Sequence, residues 1–359
     1  MRHLFRRQIF KFLKKLSQTS DAKAIVVRML NGLLHSSARS ALRASYDRPL
    51  PYSDVGAVCR RMPTAQRSDI VFITGRFRSG STLLWNVFRQ VEGCTAYYEP
   101  FNERRWFDAL ARGQTMDVTH RGVSNYWKEY DGLEELGRYF SDEWPTKDLF
   151  MDAQSWQPAM KRYIEILVER ACGRPILQFN RIDFRLPWIR HHFPHARIVH
   201  LYRHPRDEWY SSLFHDRCKD RACSLEEFFE HEGFYLRAWS RDLQYHFPFL
   251  ALEFIRHPYH LFYLIWRLSY LYGMQYAHYS VAYEHIMESP RMALGDLFSV
   301  LDIQRYDLDM ITSFIDPRQT GRWKQYADED WFREQEALCE ATIEEFMGEG
   351  HRQTTPAVL

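Results

Sequence analysis

The chain has 359 residues, 45% hydrophobic and 16% aromatic, enough for a packed core in one large α/β domain with insertions or two small domains. A net charge of +2 argues against a nucleic-acid or general polyanion binder, so any basic site must be local. Six cysteines in so long a chain exclude a disulfide scaffold, and the nearest metal-like group, His215, Cys218 and Cys223, fits no common zinc spacing. With no secretory signal evident, the thiols read as reduced and the compartment as the cytosol.

The N-terminal stretch differs from the rest. Leu4, Ile9, Phe12, Leu13 and Leu16 recur near helical spacing with basic residues between them. This reads as a basic amphipathic helix, suited to an anionic membrane surface, to docking on the domain or on another subunit, or to a targeting presequence, and too charged to span a bilayer. Pro49, Pro51, Gly56 and Pro63 mark a linker. The division is therefore an N-terminal segment over 1–66, one domain over 67–347 and a tail over 348–359.

Ile70–Thr74 is an apolar strand that runs into Gly75–Thr82, read GRFRSGST. Strand, glycine-bracketed loop and helix form the layout of a phosphate cradle, in which loop and helix N-terminal amides face an anion. The spacing is that of the nucleotide P-loop, with Ser81 where its lysine would stand. Arg76 and Arg78 inside the loop supply cationic charge instead; Arg76 faces either outward or the ligand. A helix follows over Thr82–Val91, then a short strand at Thr95–Tyr98 ending in Glu99 and Pro100. Phe101 to Asp152 shows no clean alternation and many aromatics, and reads as helices and loops. Next come a helix at Met160–Ala171, a buried strand at Pro175–Asn180 and a helix at Leu186–Phe193. Arg197–Tyr202 is another strand, and Pro205 opens a helix reaching Leu213. Phe247–Tyr272 reads as a buried helical hairpin or an apolar face for a ligand or membrane. Tyr279–Ala282 is strand-like, and Met292–Leu301 and Trp331–Phe346 are helical. Strands alternating with helices predict an α/β fold with a P-loop-type parallel sheet flanked by helices, in a single domain with helical insertions.

Four stretches, taken together, resemble the PAPS-dependent sulfotransferases of the bacterial or carbohydrate type, which use 3′-phosphoadenosine 5′-phosphosulfate. They are Gly75–Thr82, the run Arg197–Asp207 followed by Ser211, the pair Tyr283 and Glu284, and the loop Thr320–Lys324. The matches span about Ser68 to Trp331. The resemblance implies that Arg78, Ser79, Gly80, Ser81 and Thr82 hold the 5′-phosphosulfate. It implies that Arg203 and Ser211 hold the 3′-phosphate, that Tyr283 packs near the base, and that Arg322, Trp323 and Lys324 close over the nucleotide. Arg203 paired with Asp207 is the structural alternative, and Arg206 reads as a surface residue. Glu99 is the leading general base and Glu103 and His200 are weaker alternatives; His200 lies in a buried-strand pattern.

The implied reaction moves a sulfuryl group from PAPS to an acceptor hydroxyl and releases PAP. By analogy with phosphoryl transfer, positioning and charge stabilisation dominate, and no metal is required. The expected partners are a small-molecule, carbohydrate, glycolipid or other lipid-linked acceptor and no nucleic acid. The expected site of action is the cytoplasm, with peripheral membrane contact left open by the N-terminal helix. Two other readings stand beside this one. One is a P-loop kinase or nucleotidase, against which Ser81 and the Arg203 and Ser211 pair argue. The other is a non-catalytic nucleotide-binding protein of the same fold.

Overall fold

The computed structural model describes residues 60–61 and 69–352, except 116, 118–119, 121–122, 314 and 316–319. The amphipathic segment and most of the linker lie outside the described residues, as does the tail beyond 352. In chain order the strands are β1 (Arg60–Arg61), β2 (Val71–Thr74), β3 (Cys94–Tyr98), β4 (Arg174–Phe179), β5 (Arg197–Tyr202) and β6 (Tyr279–Ala282). The α-helices are α1 (Ser81–Arg89), α2 (Pro158–Arg170), α3 (Leu186–His192), α4 (Pro205–Ser212), α5 (Leu225–His231), α6 (Leu236–Leu243), α7 (Pro258–Tyr276), α8 (Tyr283–Glu288), α9 (Pro290–Leu301), α10 (Leu308–Ser313) and α11 (Glu329–Arg352).

The sheet order is β1-β6-β5-β2-β4-β3. The five strands from β6 to β3 are mutually parallel, and β1 pairs antiparallel with β6 inside the stretch read as linker. Every residue of β2, β5 and β6 is buried. That is the signature of parallel strands covered by helices on both faces. β2 lies between β4 and β5, so the chain departs to opposite sides from the strand that feeds the glycine loop. A ligand crevice is expected at such a switch point, beyond the C-terminal strand ends.

Two local features fix the loop. Gly80 has φ 95°, and a Cβ there would lie 2.4 Å from the Tyr283 ring. Only glycine combines that backbone angle with that contact. Pro205 starts α4 at its first turn, where a missing N–H costs nothing.

Three expectations are corrected. The Phe247–Tyr272 region is not a hairpin: two short 3-10 turns lead into the single helix α7, whose residues 258–274 are buried. Its apolar surface packs inside the domain, where Tyr259, Tyr263 and Arg267 bond Glu336 and Glu340 of α11. Residues 101–152 hold turns and two 3-10 helices, with no α-helix among the described residues. Helix α11 runs to Arg352, past the expected tail boundary. Cys94, Cys172, Cys218, Cys223 and Cys339 are free thiols. Among the described residues no His, Cys, Asp and Glu cluster could hold a metal, and no helix is long and apolar enough to cross a membrane.

Candidate functional site

A cleft of about 440 Å³ opens at the C-terminal edge of the sheet. The loop after β2, the ends of β3, β4 and β5, and the start of α8 all reach it. Arg78, Gly80, Ser81, Thr82, Glu99, Glu103, Arg203, Ser211 and Tyr283 line it. Residues over two hundred positions apart in sequence therefore share one cavity.

The loop presents an anion cradle. Helix α1 begins at Ser81 and no side chain caps it. Its first N–H groups have no partner within the helix and carry the positive end of its dipole. Arg78 lies beside them with φ 69°, a left-handed conformation that costs a non-glycine residue energy and recurs at functional sites. Arg78 Nε donates to Ser211 Oγ at 3.1 Å, and Arg203 Nη1 donates to the Arg78 carbonyl at 3.0 Å. The Arg203 guanidinium stacks on Tyr283 at 4.7 Å, and Tyr283 in turn packs on Gly80. Arg203 is not paired with Asp207. That carboxylate instead accepts from the amides of Gly321 and Trp323, at 2.7 and 3.3 Å.

The other expected residues stand elsewhere. Ser79 is fully buried and donates to the Arg76 carbonyl, which shapes the loop from within. Arg322, Trp323 and Lys324 do not line the cleft. Trp323 is buried and stacked against His204, with Arg206 over its face. Arg322 and Lys324 lie over the rings of Tyr210 and Trp323. Arg206 is no surface residue: it is buried and binds Glu336 through two hydrogen bonds of 2.8 Å. Arg76 faces neither solvent nor cleft but the interior, toward Asp183 and Glu208.

Glu99 directly follows β3 with φ 37° and is 5% exposed. Asn180 donates to its Oε1 at 2.6 Å, and Asn102 and Arg181 each donate to Oε2 at 2.7 Å. A carboxylate offers about four lone-pair positions, so the group is held firmly with little acceptor capacity left over. Glu103 accepts from Arg181 and Tyr235. His200 is buried against Gly273 of α7, and burial pushes its imidazole down to about 3, so it is a neutral core histidine away from the cleft.

Sequence reasoning missed Asn180 and Arg181, which follow β4 and line the cleft. Their place just past a parallel strand was the available signal. It also missed His120, whose Nδ1 lies 2.6 Å from the Tyr126 hydroxyl in the cleft wall; no pattern marks that stretch. Arg185 helps to fix this side. It is fully buried, donates to the carbonyls of Trp144, Lys147, Asp148 and Arg181, and is pushed down to about 10 by burial. Two aromatic groups also border the cleft: Tyr98 with Trp106 and Tyr126, and Phe77 with Phe234 and Tyr235.

A family model described as "Sulfotransferase family" matches residues 70–307. No curated protein matches the chain. Among solved structures, the sulfotransferase domain of the Synechococcus PCC 7002 olefin synthase is 17% identical, covers 84% of this chain and 93% of its own, and has a TM-score of 0.31. Sulfotransferase STF9 from Mycobacterium avium is 14% identical, with 79% and 77% covered and a TM-score of 0.40. Retinol dehydratase in complex with androsterone and inactive cofactor PAP is 15% identical, with 79% and 82% covered and a TM-score of 0.30.

Proposed function

Because the chain belongs to the sulfotransferase family, we propose that it transfers a sulfuryl group from PAPS to the hydroxyl of a carbohydrate, glycolipid or similar ring-bearing acceptor and releases PAP. One observation carries this reading: Arg78, Ser211 and Arg203, from two distant motifs, meet in a single hydrogen-bonded group beside the open N-terminus of α1. A nucleotide with phosphates at both ends of its ribose needs two cationic sockets at a fixed spacing, and this group supplies them.

When bound, PAPS would supply the sulfuryl group on a phosphate that leaves already ionised. The chain's own part is positioning and charge. The amides of Gly80, Ser81 and Thr82, with Arg78, face the 5′ end. Arg203 and Ser211 face the 3′-phosphate, with Tyr283 holding the Arg203 plane. Glu99 is the proposed proton acceptor for the attacking hydroxyl. The aromatic groups around Tyr98 and Phe77 offer ring faces to an acceptor that has its own.

Calorimetric titration with PAP, AMP and ATP, without added metal, tests the reading. PAP should bind far more tightly than AMP, and Arg203→Ala should erase most of that preference, worth about 2 kcal/mol for a charge-assisted contact. Equal affinity of the unmutated protein for PAP and AMP would refute the 3′-phosphate socket.

A further inference from the structure

Beneath the phosphate loop lies a group of charged side chains that the proposed reaction does not use. Arg76 leaves the loop on the side opposite Arg78 and is almost completely buried. Its Nε lies 3.7 Å from Glu208 Oε1, its Nη1 lies 4.0 Å from Asp183 Oδ2, and its guanidinium covers the Trp239 ring at 5.0 Å. Asp183 also accepts from Thr74 at the end of β2. Each of the two carboxyl side chains is 1% exposed. Glu208 is on α4, three residues before Ser211, so the two share a helix face.

The loop is therefore tied to α4 twice. Arg78 reaches Ser211 on the cleft side, and Arg76 reaches Glu208 on the buried side. Resting on the donor-site reading above, we propose that Arg76, Asp183 and Glu208 are positioning residues that set the spacing between the 5′- and 3′-phosphate sockets. An apolar trio would pack here at least as favourably, since desolvating charges is costly. What the ionic group adds is one defined geometry between loop and helix.

One arginine cannot balance two buried carboxylates. Burial pushes Glu208 up to about 8, and the charged groups that face it are Arg76, Arg203, Asp183 and Glu284. Burial pushes Asp183 up as well, and Arg76 is the charge that favours the ionised form of both carboxyls. The three groups meet at ion-pair distance and not through hydrogen bonds: Arg76 Nε and Nη1, Asp183 Oδ2 and both Glu208 oxygens lack hydrogen-bond partners. Ionising Glu208 places a second negative charge near Arg76 and Arg203 and works against phosphate binding.

The experiment is PAP titration from pH 6.5 to 9.5 with the full chain, Arg76→Met, Arg76→Lys and Glu208→Gln. Wild-type affinity should fall about tenfold across pH 8, within the usual range for coupled sites. Glu208→Gln should lose that fall. Arg76→Met should weaken PAP at pH 7 and raise the donor KM while leaving the acceptor KM unchanged, and Arg76→Lys should recover part of the loss. A Glu208→Gln protein that keeps the fall, or Arg76→Met with wild-type PAP affinity, overturns the proposal. If wild type binds no PAP at any pH, the donor-site reading fails instead. Hydrogen exchange then reads the cluster directly: Arg76→Met, or Glu208→Gln above pH 8 if Arg76→Met does not fold, should change exchange in both 75–80 and 205–212. No change in either segment overturns the coupling.

Discussion

Glu99 both lines the cleft and accepts bonds from Asn102, Asn180 and Arg181, so one substitution tests two roles. In Glu99→Gln, Arg181 loses the buried one of its two carboxylate partners, the other being the exposed Glu103. A loss of roughly 3 kcal/mol is expected in urea unfolding, the scale of breaking a buried pair. If the carboxylate also takes the acceptor's proton, turnover should drop by ~10²-fold or more with PAP affinity little changed. Full turnover in Glu99→Gln would end its candidacy as the base. At this scale short motifs were enough to single out Arg78, Arg203 and Ser211, residues that the fold brings together in one cleft. It was not legible where a residue's environment comes from remote chain. Arg206 follows a helix-opening proline and looks exposed, yet Glu336 lies 130 positions away and buries it. Arg76 reads as facing outward or the ligand for the same reason, since Asp183 and Glu208 become its neighbours only in the folded sheet.

Among elements, the contact between the loop and α8 is sensitive to small changes. Gly80→Ala would place a methyl group into the Tyr283 ring at a φ of 95°. The left-handed backbone costs about 1 kcal/mol for an L-residue, and overpacking adds about 1–3 kcal/mol. Tyr283 would have to move and carry Arg203 with it, so PAP affinity should fall along with Tm; normal affinity in Gly80→Ala would show that the two are not linked. The parallel strands and helices α1–α4, α9 and α11 were readable from local pattern, helped by short buried runs next to turn residues or proline, whereas β1 was read as linker and α5, α6, α8 and α10 were not read. The all-round apolar α7 was not, since a helix buried on nearly every side has no periodic face to detect. Residues 101–152 escaped because turns held by side chains such as Arg185 carry no repeat.

Over the whole molecule, α11 is fastened to the donor half through buried charge. Glu336 accepts from both Arg206 on α4 and Tyr259 on α7. Glu336→Ala strands the Arg206 cation and should cost about 3–5 kcal/mol in urea unfolding. A loss below about 1 kcal/mol, typical of exposed pairs, would show that the link is not a structural one. The sheet order has a consequence for how the protein is made. β2 is synthesised early, but both of its neighbours, β4 and β5, come from far downstream. At roughly 5–20 residues per second, β5 leaves the ribosome on the order of ten seconds after β2. Until β4 emerges, β2 and its arginine loop have neither strand neighbour, and the β5-facing edge stays open longer still, a strand edge open to wrong pairing. The β5-facing edge of β2 therefore stays open until β5 has emerged.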